Sequence, residues 1–169
     1  MLGPKENIMH PRIDQRKLAP GAMKAMLGLE HYIHQCGLPE NLLHLIKLRV
    51  SQINGCAYCI DMHSKDLRAA GESEQRLYLL DAWREAPFYS ERERAALAWA
   101  EAVTLVTEGH VPDEVYEQAR AQFSEEELVN LTVVVVTING WNRLSIAFRS
   151  VAGAYQPRQF QEQQKEMAA

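Results

Sequence analysis

The apolar positions of this chain recur at intervals of three and four, the spacing that lays a stripe along one face of an α-helix. Leu42, Leu45, Ile46, Val50 and Ile53 follow it after Pro39, until Asn54-Gly55 interrupts the run. A further helix is expected from about Cys56 to Gly71. Upstream, Pro20 suits a first helical turn, and "PGAMKAMLGLEHYIHQCG" ends at Gly37, a residue that readily closes a helix. Downstream, Ser73 is placed to cap "EQRLYLLDAWREA", which stops before Pro87. Ser90 with Glu93, and Ser124 with Glu127, have the spacing of capping boxes. The first opens a helix that Gly109 ends, and Pro112 starts "PDEVYEQARAQF".

One segment reads differently. "LTVVVVTI", Leu131 to Ile138, has the β-branched content of a strand. It follows a capping box with no turn between, and the chain offers no second strand to satisfy its backbone hydrogen bonds. A buried helix is the expectation, and with it an all-α fold.

Composition narrows the function. At 169 residues, one domain spanning 1–169 is expected, with a core from about residue 12 to 154 and a flanking arm at either end. A chain of this size buries enough surface to fold without disulfides or zinc. A net charge of −4 offers no basic patch for nucleic acid or anionic lipid. No apolar run approaches the roughly 18 residues of a membrane span, and "MLGPKENIMHPRIDQRK" lacks the apolar stretch of a signal peptide. A cytoplasmic setting is expected, where thiols stay reduced unless catalytic or sensing. Three cysteines, an odd number, argue against a secreted disulfide scaffold.

The chemistry concentrates in "NGCAYCIDMHSKDLRAAG". On a helix, Cys59 lies roughly 60° from Cys56 and His63 within about 20° of it, so all three share one face. Haem attachment needs a histidine directly after the second cysteine, where Ile60 stands. Structural zinc needs a fourth ligand, and His31, His34, Cys36 and His44 supply none at a supporting spacing. Two buried, inert cysteines with a satisfied histidine are the plainest alternative. Tyr58 between them and Asn54-Gly55 before them fit that site poorly. A redox pair fits best. The helix N-terminus lowers a thiol pKa, His63 stands four residues from Cys59 to exchange a proton, and the two thiols can close a disulfide. The implied chemistry is attack of one thiolate on a peroxide or disulfide and resolution by the other. A thioredoxin fold is excluded by the absence of strands.

"LIKLRVSQINGCAYCIDMHSKDLRAAGE" resembles the core motif of the AhpD-like alkyl hydroperoxidases, within the carboxymuconolactone decarboxylase superfamily. "FSEEELVNLTVVVVTINGWNRLSIAFR" is similar to the C-terminal helices of that group. The resemblance implies an all-helical bundle assembled as a homo-oligomer, trimer or hexamer. It implies peroxidase or thiol–disulfide activity on a hydroperoxide or disulfide substrate; no cofactor and no metal is expected. It further implies a reducing protein partner, which the family suggests is lipoylated. Cys59 would be the exposed nucleophile, Cys56 the resolving thiol, and His63 part of a proton relay. The sequence departs from the pattern twice. His44 stands where the family relay carries a glutamate, and Tyr58 where a histidine can lie between the cysteines. Glu40, four residues before His44, is placed to orient it. A non-redox decarboxylase-like enzyme and a structural or zinc-binding oligomeric module are the competing functions.

Elsewhere the readings are structural. Cys36 is expected to be a packed or surface thiol, and the His31–His34 spacing is common by chance. In "INGWNRLS", Asn139-Gly140 is expected to kink the helix, Trp141 to pack, and Arg143 to pair with a carboxylate; the competing role is to line a pocket or a subunit contact. "SERERAALAWAEA" reads as a solvated face with an apolar stripe behind it.

Overall fold

The computed structural model describes residues 9–157, and these form helices with no strand among them. In chain order they are α1 (Gln15–Leu18), α2 (Pro20–Ile33), α3 (Glu40–Asn54), α4 (Ala57–Ala69), α5 (Glu74–Leu79), α6 (Glu91–Thr104), α7 (Asp113–Gln122) and α8 (Glu125–Phe148). Short 3-10 turns follow α5 and α6, at Leu80–Ala82 and Val106–Glu108. Most of both expected arms lies outside the described residues. The end of the N-terminal arm is pinned, because Arg12 donates from its backbone to Phe148 and from its guanidinium to Ala147 at the end of α8.

Helix α3 is the centre of the bundle. It packs against α4, α6 and α8, and α8 also meets α2 and α6. Leu43, Leu45, Ile46, Leu48 and Val50 are essentially sealed from solvent, as are Leu131, Val134, Val135 and Ile138 of α8. The valine run is therefore helical because burial overrides its strand propensity. Both capping boxes form, at Ser90–Glu93 and Ser124–Glu127.

Three expectations change. Helix α8, at 24 residues, is long and apolar enough to cross a membrane by composition alone. In this bundle α2, α3 and α6 pack against it. The Asn139-Gly140 step lies inside α8, where a Cβ on Gly140 would meet Met26 Cε of α2 at 3.0 Å. Arg143 donates to Asn139 rather than to a carboxylate. The charges of "SERER" are ties as well as a solvated face. Arg94 holds the backbone carbonyls of Trp83, Arg84, Ala86 and Tyr89, Arg92 pairs with Glu127, and Glu93 pairs with Arg76.

Candidate active site

The α3–α4 corner presents the cysteines. Gly55 closes α3 with φ 67°, a left-handed conformation that a side chain disfavours. Cys56 is then the N-cap of α4, and its Sγ accepts from the Cys59 amide at 3.4 Å. Cys56 and Cys59 are joined as a disulfide across a Cα–Cα distance of 5.4 Å. Beneath the corner, Asn54 donates to Asn139 and Asn142, and Asn142 donates to Ser51. The asparagines of "INGWNRLS" thus fix the turn that carries the cysteine pair. Trp141 packs on the core and also lines the cavity beside it.

That cavity holds about 470 Å³ and is bordered by α2, α3, α4, α8 and Tyr155. Cys59, Tyr58, Met62, His63 and Asp66 face it from α4, and His44 from α3. Each cysteine is only 1% exposed, so the expected exposed nucleophile is corrected: Cys59 is sealed by the bundle and reached through the cavity. Cys56 does not border the cavity.

His63 is buried, and neither ring nitrogen has a hydrogen-bond partner. Its ring centroid stands 5.9 Å from that of His44, and its Nδ1 is 3.8 Å from Asp66 Oδ2. Burial, reinforced by the charge of Lys47, holds its pKa well below the ordinary imidazole value. The neutral imidazole is therefore the favoured form of His63. His44 Nε2 lies 3.2 Å from Glu40 Oε1, while its Nδ1 is buried and unpartnered. Glu40 is shared with His34, and contacts to His34 and then His44 hold its carboxyl well below the usual range. His34 also approaches Glu30, which forms a 2.5 Å ion pair with the buried Lys47. His34 thus belongs to a chain of polar contacts. Cys36 is the free cysteine, partly buried and packed against the core.

Comparison with known proteins places this arrangement. The carboxymuconolactone decarboxylase family model matches residues 20–102. An uncharacterized Bacillus subtilis protein, YdfG, is 46% identical over 146 residues, covering 86% of this chain and 99% of its own. A crystal structure from Agrobacterium tumefaciens, of a protein of unknown function proposed as an antioxidant defence protein AhpD, shares 48% identity. Its TM-score is 0.83, over 86% of this chain and all of that one. The chain belongs to the AhpD-like group of the carboxymuconolactone decarboxylase superfamily. A debrominase, Bmp8, is 26% identical with a TM-score of 0.72, over 80% of this chain and 73% of that one.

Within this AhpD-like bundle, sequence reasoning missed two side chains. Asp66 is partly buried, which raises its pKa, and its Oδ1 accepts from the Tyr155 hydroxyl at 2.6 Å. Asp66 had a usable signal, since it follows His63 by three on the face that carries Cys59. Tyr155 had none, because it reaches α4 from beyond the end of α8.

Proposed function

We propose that this protein is a thiol-dependent peroxidase or disulfide reductase that cycles Cys56 and Cys59 between dithiol and disulfide. The observation that carries the reading is the Cys56–Cys59 pair at the start of α4, with Cys59 bordering the cavity that His63 and His44 share. In the reduced protein, the positive end of the α4 dipole favours thiolate at the cysteine pair, with the Cys59 amide donating to Cys56 Sγ, and neutral His63 accepts the Cys59 proton. The thiolate attacks a peroxide oxygen. A sulfur–oxygen bond forms, the oxygen–oxygen bond breaks, and the leaving alkoxide takes the proton back from His63, giving an alcohol and a sulfenic acid. Cys56 then attacks the Cys59 sulfur, forming the disulfide and releasing water. A dithiol on a partner protein, such as a lipoyl group, returns the pair to the reduced state. His44 stands in for the family glutamate and relays protons between His63 and Glu40.

Two features of the reading concern setting. Val129, Val136 and Ile146 on α8 and Leu29 on α2 are exposed apolar side chains, of the kind that symmetric association as a trimer or hexamer would cover. A reducing, cytoplasmic compartment suits a pair that must be recycled. The test is thiol counting on the reduced protein. Mild peroxide is expected to remove two thiols per chain and leave Cys36 titratable; no loss overturns the reading.

The cavity supports a second substrate class for the same cysteines. Its aromatic and methionine lining accommodates a small ring, and the structural relative Bmp8, a debrominase, was also crystallised with 2,3,4-tribromopyrrole. In that case one aryl–bromine bond and two thiols become an aryl–hydrogen bond, a disulfide and hydrogen bromide. Bromide release from a bromopyrrole by the reduced protein separates the two.

A further inference from the structure

We propose that His44, His63 and Asp66 form a site for a divalent transition ion of the zinc type, facing the cavity beside Cys59. Their ligand atoms all lie within 4.8 Å of one another. His63 carries the inference: it is 96% buried by its 4% exposure, and neither nitrogen is hydrogen-bonded. A buried polar atom without a partner costs about 1–3 kcal/mol and calls for an explanation. His44 adds a second orphan, its buried Nδ1.

The surroundings complete the ligands in the way metal sites require. Glu40 accepts from His44 Nε2 at 3.2 Å, which leaves the Nδ1 lone pair free to point inward. Tyr155 holds Asp66 Oδ1 at 2.6 Å, which leaves Oδ2 free, 3.8 Å from His63 Nδ1. Two ligand atoms on a tetrahedral zinc ion stand roughly 3.3 Å apart, so a small closure suffices. The charges agree as well. Glu30 neutralises Lys47 at 2.5 Å, and the carboxylates of Glu40 and Asp66 remain for a dication. Two imidazoles and one carboxylate suit zinc, with the fourth position open to the cavity. An ion here occupies the lone pairs a proton relay would use, a consequence that rests on the proposed function. The site itself does not.

The experiment therefore uses the oxidised protein with Cys36 alkylated, so that no thiol can bind metal. Equilibrium dialysis with zinc chloride alone is expected to give one ion per chain. Asp66→Asn and His44→Gln are expected to weaken binding at least 100-fold, Tyr155→Phe by 10- to 100-fold, and His31→Gln not at all. Circular dichroism checks each fold. Should the ligand variants unfold, Tyr155→Phe and the visible spectrum of the unaltered chain with cobalt(II) decide. An intense four-coordinate cobalt spectrum is expected. A pale spectrum like that of the aqueous ion, no saturable zinc, or binding unchanged in Asp66→Asn and His44→Gln overturns the site. Peroxide turnover, measured separately on reduced protein, reports on the thiol reading alone.

Discussion

Two polar regions of this bundle are built on opposite terms. Around Glu101, every charge is answered. Its Oε1 accepts from Arg49 and from the Trp83 indole, both at 2.8 Å, its Oε2 pairs with Arg84, and Arg84 stacks over the Trp83 ring at 4.2 Å. Around His63, buried nitrogens are left without partners although Asp66 and His44 stand close by. Both regions touch α3, so the difference is not one of depth. A satisfied network holds helices together, whereas unsatisfied groups stay available to a substrate, a proton or an ion. The contrast separates architecture from chemistry inside one small domain-sized bundle.

The sharpest way to test the contrast removes the reactive sulfur. Cys59→Ser is expected to reduce peroxide consumption to background, at least 1000-fold by analogy with loss of other nucleophiles, while the thermal midpoint of the reduced protein stays near that of the parent. Cys56→Ser should instead allow one turnover and trap Cys59 as a sulfenic acid or mixed disulfide, read by mass spectrometry. If Cys59→Ser forms the trapped adduct, the roles are reversed.

The converse substitution is Glu101→Ala, in the satisfied region. It leaves the Trp83 indole without its acceptor and takes from Arg49 one of its two carboxylate partners, and is expected to cost about 3 kcal/mol in denaturant unfolding. Activity per folded molecule should hold. A stability change within 0.5 kcal/mol, the range of ordinary surface substitutions, would remove the distinction drawn here.

His44 lies between the two kinds of region, with one nitrogen satisfied and one not. His44→Ala is expected to lower the peroxidase rate by about 10- to 100-fold, the usual scale of acid–base contributions. His44→Glu should restore much of it with a displaced pH profile. Identical rates and profiles in all three proteins would make His44 a packing residue.

The smallest expected effect is in pH. His63 has a folded pKa below the unfolded 6.5. Its contribution is fully present above pH 6.5 and is lost as pH falls toward the folded value, by at most about 1.4 kcal/mol per pH unit. For Glu101 burial raises the pKa, but hydrogen bonds from Trp83 and Arg49 outweigh it and leave a net lowering from 4.5. Its contribution is present above pH 4.5 and lost below. Melting curves with a chelator present should therefore soften first between pH 6.5 and 4.5, and His63→Gln should flatten that window alone.

Much of the architecture was legible in the chain because its signals are local. The capping boxes at Ser90 and Ser124, Pro112 before α7, and Gly55 after α3 each act within a few residues of themselves. The segment after Ser73 was less legible. Its α-helix stops at Leu79 and tightens into a 3-10 turn, with Leu80 and Trp83 both buried. Only packing decides that.

The same division holds for the site. Sequence by itself determined the helix face shared by Cys59 and His63, and the i,i+4 relation of Glu40 to His44, because a helix converts spacing into proximity; Cys56, expected on the same face, is instead the N-cap of α4. It also determined that Leu131 to Ile138 had to be helical, since nothing else in the chain could pair with a strand. Tertiary structure alone decided that α3 lies against α4, bringing the His44 and His63 rings to 5.9 Å. It alone sealed Cys59 behind a cavity, set Lys47 on Glu30, and carried Tyr155 back to Asp66. These contacts join residues on different helices, 17 residues apart for Lys47 and Glu30 and 89 for Tyr155 and Asp66. Separations of that kind leave no periodic trace in a sequence; they are settled by which apolar faces pack together.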